Sequence, residues 1–311
     1  MKTLAFLVLL IILCGCTNTP SRYSAEFIGL FDTITVITGY ADNQEQFEYH
    51  VRRIFDRLED LHRLFDKYNR YDGLNNLYTI NAMAGVSPVE VRQEIIDLLL
   101  FAKEGYEISG GTVNVALGPV LSIWHQYRRL GLRDGLYAAL PSMDDLKEAA
   151  ELSDISNMII DEEARTVFLL LNGMSLDVGA IAKSFAIGIA ARESDMEALL
   201  INSGWDIYAK NPPLSRPYWN VGIHEGKEII QLSRGAVAVS SNHFRQYVVD
   251  GQVMGHIIDP GTLMPARRFN QVVVIHSEPE MADLLSTALF IMSREDGEAL
   301  AERMGAEAFW Y

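Results

Sequence analysis

Cysteine is nearly absent from this sequence: among 311 residues, only Cys14 and Cys16 occur. A disulfide bond between residues two positions apart is sterically unfavourable, so this pair does not predict a structural bridge. The chain after Cys16 contains no thiol. A disulfide scaffold and a cysteine nucleophile are therefore both excluded for the globular part of the protein.

Basic residues are also scarce, with 26 Lys and Arg against 41 Asp and Glu and a formal net charge of −15. Binding to a nucleic-acid backbone depends on clustered cations, so this balance argues against a nucleic-acid partner. It does not exclude a phosphorylated small molecule, because backbone amides or a bound metal ion neutralise phosphate locally. Hydrophobic residues make up 49% of the chain, which excludes a disordered protein.

Long apolar runs are lacking except at residues 4–13, which are almost continuously hydrophobic and follow Lys2. About ten residues are too few to span a bilayer, which takes roughly 20, but they suit the core of a secretory signal. The segment Leu13-Cys14-Gly15-Cys16 resembles a bacterial lipoprotein signal. We therefore expect a signal peptide at residues 1–15, a lipid on Cys16, a tether at residues 16–27 and one domain at residues 28–311.

This signal predicts an exported protein that is anchored by its lipid to the outer face of the cytoplasmic membrane, or to a membrane that faces the periplasm. An ordinary cleaved signal with incidental cysteines is the alternative.

Apolar residues recur at steps of four and three between residues 43 and 69, which predicts a long amphipathic helix. Ser87, Pro88 and Glu90 suit the start of another helix that continues to about Ile108. Hairpins and helices are mixed along the chain, which favours an α+β fold. The hairpin is expected at residues 247–254, other strands at 31–40, 166–171, 198–202, 219–223 and 271–275, and other helices at 142–152, at 280–292 and after Ser293.

Residues 175–184 lead from a strand end through small residues into a helix. Small residues let backbone approach a ligand closely, and a helix N-terminus favours anions. Asp177 and Lys183 bring opposite charges to this turn. The alternative is that Asp177 simply caps the helix.

Asp283 and Thr287 are four residues apart and therefore share one face of a predicted helix. A carboxylate and a hydroxyl are hard oxygen ligands of the kind that Mg²⁺ prefers. The alternative is that Asp283 lies in the first helical turn and that Thr287 is a buried hydroxyl bonded to its own helix.

His256 and Asp259 bracket two apolar residues just after the predicted hairpin. His256 is a candidate general base because imidazole titrates near neutral pH, and Asp259 either orients His256 or closes the loop. A purely structural histidine is the alternative.

Taken in order, these segments resemble the ApbE family of FAD:protein FMN transferases from about residue 30 to residue 304. Residues 176–184 are similar to the family signature L-D-x-G-x-I-A-K-G, residues 256–260 to H-I-I-D-P, and residues 283–288 to D-x-x-x-T-A. Residues 200–204 are similar to a strand that ends in Gly-Gly. Residues 64–81 are similar to a region that ends in Asn.

The resemblance implies a T-fold-like single domain of mixed, largely antiparallel strands with packed helices. It implies Mg²⁺-dependent transfer of FMN from FAD to a threonine hydroxyl of an exported acceptor flavoprotein, with release of AMP. It places the metal at Asp283, Thr287 and the backbone carbonyl of Ala180, with Ser286 nearby. The FAD contacts that it implies are Phe31, Tyr68, Asn114, Val115, Ala116, Leu117, Asp177, Lys183 and Ile257.

The sequence departs from the family pattern at several positions. Phe31 stands where the family usually has Met, Ser184 stands where it has Gly, and residues 259–262 lack the Arg that usually follows Pro. Trp205 replaces the second Gly of Gly-Gly and either stacks on a ring of FAD or simply packs.

Two other functions fit the same segments. One is Mg²⁺-dependent hydrolysis of FAD to FMN and AMP, in which water replaces the threonine hydroxyl. The other is a non-catalytic lipoprotein that binds a solute or a flavin.

Overall fold

The computed structural model describes residues 20–135, 138–223, 226–242 and 245–311. The signal peptide and the lipidation of Cys16 that the sequence predicts lie outside these residues. Within the described ranges, no helix combines the length and the apolar character that crossing a bilayer requires.

A seven-stranded sheet forms the centre of the molecule, in the order β1-β2-β6-β7-β10-β15-β16. Every neighbouring pair in it is antiparallel, as the α+β prediction requires. Smaller sheets join β3, β5 and β4, and pair β8 with β9, β11 with β12, and β13 with β14. The strands are β1 (Ser21–Leu30), β2 (Thr33–Ala41), β3 (Val89–Glu90), β4 (Met158–Asp161), β5 (Thr166–Leu169), β6 (Leu199–Ser203), β7 (Asp206–Ala209), β8 (Trp219–Ile223), β9 (Glu228–Leu232), β10 (Gly235–Ser241), β11 (Tyr247–Val249), β12 (Gln252–Met254), β13 (Ile258–Asp259), β14 (Met264–Pro265), β15 (Gln271–His276) and β16 (Glu307–Trp310).

Eight α-helices accompany the strands in the described part of the chain. Local sequence explains their ends: the side chain of Asn43 caps the first helix by accepting from the N–H of Gln46, and Ser293 caps the last through the N–H of Asp296. The helices are α1 (Gln44–Phe65), α2 (Leu77–Ala82), α3 (Gln93–Ile108), α4 (Gly118–Arg133), α5 (Met143–Ala150), α6 (Ala182–Glu193), α7 (Pro279–Ile291) and α8 (Arg294–Arg303).

The two faces of the central sheet pack against different elements. Because side chains alternate along a strand, Val272 packs into the main core with α1, α3, α6 and α7, while Val273 faces the β8–β9 hairpin. A smaller core lies between α4, α5 and the β11–β14 hairpins, around Trp124 and Tyr247. The indole N–H of Trp124 donates to the carbonyl of Leu263 at 2.9 Å and fixes α4 against this region.

Two predictions about local structure are wrong. The tether expected at residues 16–27 is extended strand from Ser21 onward, because β1 pairs with β2 along nearly its whole length. The helix start expected at residues 87–90 is strand β3, in which Val89 is buried and pairs with Val167 of β5. Helix α3 begins only at Gln93, although it ends at Ile108 as expected.

Helix α1 is four residues shorter than its apolar pattern suggested. It ends at Phe65, because the Asp66 carboxylate accepts the N–H groups of Tyr68 and Asn69 at 2.6 and 3.2 Å and folds the chain into a turn. This turn brings residues 67 and 68 to the candidate site.

Candidate active site

The candidate site contains two clusters of charged residues. The first, here called the floor, consists of Asp283, Asp206 and Lys183, and its central group is the buried carboxylate of Asp283 on α7. Asp283 is the fifth residue of this helix, beyond the first turn, and only 7% of its surface is exposed. Among the residues that the structure describes, none donates a hydrogen bond to its Oδ2 atom. Burial raises the pKa of Asp283 well above its usual range, and the negative charge of Asp206 raises it further, while Lys183 opposes both.

Asp206, the first residue of β7, is a floor residue that sequence reasoning missed. It forms an ion pair with Lys183 and accepts the hydroxyl of Ser184 at 3.2 Å. Its other oxygen accepts the N–H of Val239 at 3.3 Å. Lys183 also donates to the carbonyl of Ser203 at 3.2 Å. The floor therefore contains two buried carboxylates and one lysine. The bond to the carbonyl of Ser203, the last residue of β6, fixes the position of the Lys183 ammonium.

Three hydroxyls lie beside this floor. Ser240 of β10 shares hydrogen bonds with Ser286 at 2.9 Å and Thr287 at 3.4 Å. Ser286 is fully buried and also donates to the carbonyl of Asp283 at 3.0 Å, so it is engaged within the protein. Thr287 is half-buried and shares the Asp283 face of α7. Ala180 lies in the turn that precedes α6.

The donor set of the floor is therefore oxygen rather than nitrogen or sulfur. No group of three or more His, Cys, Asp or Glu side chains suited to a metal occurs in the described ranges. A site made of one carboxylate, a hydroxyl and a carbonyl is consistent with Mg²⁺, which keeps waters and substrate phosphates among its ligands.

The second cluster, here called the mouth, consists of Asp177, Lys67, Tyr68 and His125. Lys67, like Asp206, is a residue that sequence reasoning missed. The Lys67 ammonium lies 2.5 Å from Oδ2 of Asp177, and Oδ1 accepts the N–H of Gly179 at 2.9 Å. Burial alone would raise the pKa of Asp177, but the charge and hydrogen bond of Lys67 outweigh it and hold this pKa below its usual range. Asp177 is therefore a charged, fully paired carboxylate.

The loop at residues 114–117 lies directly beside Asp177. The carbonyl of Val115 accepts the N–H of Asp177 at 2.8 Å. Asn114 holds the loop by donating to the carbonyl of Ser153 and accepting the N–H of Ala116, both at 2.8 Å. Because the side chains of Val115, Ala116 and Leu117 are buried in the core, this loop offers a ligand its backbone.

Aromatic rings line the mouth. Tyr68 is 58% exposed, and its ring lies 5.6 Å from that of His125 and 4.9 Å from the Lys67 ammonium. Burial lowers the pKa of His125, and the positive charges of Arg128 and Lys67 lower it further, so the imidazole is neutral near physiological pH. Its Nδ1 atom accepts a hydrogen bond from Arg128 at 2.9 Å.

Phe31 lies at the tip of the β1–β2 hairpin with a positive φ of 51°. Its ring packs edge-on against His62, with centroids 5.2 Å apart, and its N–H donates to Nδ1 of the same histidine. Ile257 is almost fully buried, and its carbonyl accepts the N–H of Ala266 at 2.9 Å, so it also contributes mainly backbone.

His256 is half-buried in the segment between β12 and β13. Asp259 closes its own loop, because its carboxylate accepts the N–H of Gly261 at 2.8 Å and its carbonyl accepts the N–H of Leu263 at 2.8 Å. Of the two roles considered for Asp259, these bonds support loop closure.

Trp205 does not pack fully into the protein, since 42% of its surface is exposed. It forms the two-residue turn between β6 and β7 with Gly204, and both residues have positive φ, at 59° and 77°. This backbone is that of a type I′ turn, in which glycine is strongly favoured at the second position. A tryptophan is therefore held in a strained conformation next to Asp206.

Comparison with known proteins gives one consistent result. The sequence model of the ApbE family matches residues 31–310. An FAD:protein FMN transferase of Treponema pallidum (strain Nichols) is 30% identical over 325 residues, covering 94% of this chain and 86% of the relative. One of Klebsiella pneumoniae (strain 342) is 27% identical over 305 residues, covering 94% and 89%.

Solved structures agree with these relatives. The ApbE protein of Thermotoga maritima superposes with a TM-score of 0.81 at 25% identity, covering 93% of this chain and 94% of that one. The flavinyl transferase ApbE of Pseudomonas stutzeri, in its apo form, superposes with a TM-score of 0.79 at 21% identity, covering 94% and 91%. The fold expected from the sequence resemblance is confirmed.

Proposed function

Because this chain belongs to the ApbE family, we propose that it transfers FMN from FAD to a protein and releases AMP. The acceptor group in this proposal is a threonine hydroxyl of an exported flavoprotein, and the reaction depends on Mg²⁺. The chain is thus a transferase whose two substrates are FAD and another protein.

The observation that carries the metal part of the proposal is the Oδ2 atom of Asp283. It is buried and has no hydrogen-bond donor among the residues that the structure describes. A buried charged oxygen without a partner is costly, and a bound cation removes the cost. Asp283, Thr287 and the carbonyl of Ala180 would hold Mg²⁺, which when bound supplies positive charge to the FAD pyrophosphate and to the leaving AMP.

The protein's own residues supply positioning around that charge. Lys183, fixed by Asp206 and Ser203, directs an ammonium to the same floor for a phosphate oxygen. Asp177 and the backbone of residues 114–117 offer polar contacts, while the rings of Tyr68 and Phe31 offer surfaces for the rings of FAD. Held in this way, the reacting phosphate faces the acceptor without free rotation.

Transfer forms one bond and breaks one bond. The threonine oxygen bonds to the phosphorus of the FMN half, the bond from that phosphorus to the AMP oxygen breaks, and AMP leaves with the electron pair. The threonine proton must pass to a base, for which we propose His256 because imidazole accepts protons near neutral pH.

Mass spectrometry of an exported flavin-acceptor domain incubated with the protein, FAD and Mg²⁺ tests the reaction. We expect the acceptor to gain the mass of FMN less one water, AMP to appear in equal amount, and EDTA to stop both. An acceptor whose target threonine is replaced by alanine is the control. Free FMN with no gain in acceptor mass would identify a pyrophosphatase, and bound but intact FAD would identify a binding lipoprotein.

We also propose that the protein is exported and lipidated on Cys16. The two cysteines provide a matched pair for the test. Cys16→Ser should move the protein from the membrane fraction to the soluble fraction, whereas Cys14→Ser should not. Equal behaviour of the two variants would contradict lipidation at Cys16.

A further inference from the structure

Helix α4 stands out because it carries positive charge in an acidic protein. It contains Arg128, Arg129 and Arg133 and neither Asp nor Glu, in a chain whose net charge is −15. One face of this helix, here called the α4 groove, borders an open space of about 440 Å³, and every residue that lines this space belongs to α4: Ser122, His125, Gln126, Arg129, Leu130 and Arg133.

The groove is continuous with the mouth of the candidate site. His125 belongs to both, because it lines the groove and its ring also packs against Tyr68. From His125 to Arg133 the helix rises about 12 Å. The three arginines therefore begin within one helical turn of the mouth and continue away from it along α4.

The arginines of this helix lack acidic partners. Within the described ranges, no carboxylate lies within ion-pair distance of Arg128, Arg129 or Arg133. Burial lowers the pKa of Arg128, and the nearby charge of Arg245 lowers it further. Arg57, on α1, is a contrast because it pairs with three carboxylates.

Apolar surface accompanies this charge. On the same helix, 40% of the surface of Leu130 and 63% of that of Leu132 are exposed. Arginine is enriched at protein–protein interfaces, and a bound partner would cover the exposed leucines.

We propose that the α4 groove docks an acidic segment of the acceptor protein and guides its threonine to the mouth of the site. This inference rests on the proposed function, because it names the chemistry of the second substrate. A whole protein with a net charge of −15 repels an acidic partner, so a local basic groove at the mouth gives that partner one favoured approach. An anionic membrane is disfavoured as the occupant, because a bilayer on this groove would cover the mouth through which the acceptor enters.

Fluorescence anisotropy with a labelled peptide tests the proposal without requiring turnover. The probe is a short peptide of Asp and Glu around one Thr, and its control replaces them with Asn and Gln. We expect the acidic peptide alone to bind, with an affinity that falls as NaCl is raised. Arg129→Glu with Arg133→Glu should weaken binding by about tenfold or more.

Arg52→Glu with Arg234→Glu is the matched control, since it makes the same charge change at exposed residues away from α4. Equal weakening in both double variants would overturn the proposal. So would displacement of the peptide by FAD, which would assign the groove to FAD. Binding of phosphatidylglycerol vesicles through Arg129 and Arg133 in preference to the peptide would assign it to lipid.

The outcome is independent of the transfer assay. Peptide binding through Arg129 and Arg133 without FMN transfer would reject the proposed function and retain the groove as a docking surface. FMN transfer with an unchanged acceptor KM in the Arg129→Glu/Arg133→Glu variant would retain the function and reject the groove.

Discussion

The floor and the mouth of the site each place a carboxylate beside a lysine, but the carboxylates of the floor are buried, that of the mouth is half-buried, and the number of carboxylates for each lysine differs. At the mouth, one carboxylate, Asp177, meets one ammonium, Lys67, and the pKa of Asp177 falls. On the floor, two carboxylates share Lys183, which pairs with Asp206, and the pKa of Asp283 rises. The charges of the mouth balance, one carboxylate to one ammonium. The floor has one more carboxylate than it has ammonium groups, so a bound cation would balance its charge.

Removal of the Asp283 carboxylate should have the largest effect. Asp283→Ala deletes the oxygen that the proposed cation needs, so we expect Mg²⁺-dependent AMP release to fall roughly a thousandfold. Calorimetric Mg²⁺ binding should be lost with it. Glu280→Gln is the control, because Glu280 is a largely buried carboxylate on the same helix that pairs with Arg192 instead. Full activity in Asp283→Ala would refute the metal assignment.

Breaking the one-to-one pair at the mouth should cost stability. Lys67→Met leaves the half-buried Asp177 without its ion-pair partner and with only the N–H of Gly179 as a donor, so we expect the free energy of unfolding to fall by about 3 kcal/mol near neutral pH. Chemical denaturation measures this loss, and Lys147→Met on α5, away from the mouth, serves as the control.

The pH dependence has a defined sign. In the native protein the lowered pKa of Asp177 contributes stability above its unfolded value of about 3.9, and this contribution disappears as the pH falls through the folded pKa. In Lys67→Met, burial without the ammonium raises that pKa instead. The gap in stability between the two proteins should therefore narrow as the pH falls from about 7 towards about 4. A gap that is constant over this range would show that Asp177 is not responsible.

Removing one of the two carboxylates of the floor, so that one carboxylate faces Lys183, should have a smaller effect. Asp206→Asn keeps an oxygen for the N–H of Val239 and offers its amide N–H to the hydroxyl oxygen of Ser184, but it removes the charge that pairs with Lys183 and so frees Lys183 to pair with Asp283. We expect Mg²⁺ affinity to fall by about 10–100-fold, as for other residues that support a metal ligand. Unchanged affinity would mean that the charge ratio does not govern the floor. Asp32→Asn, at an exposed carboxylate on the hairpin tip, is the control.

The turn next to the floor should give the smallest effect. Trp205 has a φ of 77°, which glycine adopts without steric cost. Trp205→Gly should raise the free energy of unfolding by about 1 kcal/mol through relief of this strain. A thermal shift measures it, and a lower melting temperature would show that packing of the indole outweighs the strain.

Local features of the fold were accessible from the sequence, but pairings across the fold were not. The helix after Ser293 was recognised, and the spacing of Asp283 and Thr287 placed both on one helix face, because each signal lies within one or two turns. The helix start predicted at residues 87–90 was wrong because strand β3 depends on pairing of Val89 with Val167, which is distant in the sequence. Lys67 and Asp177 meet across 110 residues, so no spacing rule connects them.

The sequence by itself determined the acid excess, the single family resemblance and which residue types were available for oxygen ligation. Only the tertiary structure decided how many carboxylates each lysine must neutralise. That number depends on the antiparallel order of β6, β7 and β10, which places Asp206 between α6 and α7. The electrostatic energy of a buried charge is fixed by neighbours a few ångströms away, and those neighbours come from distant parts of the chain.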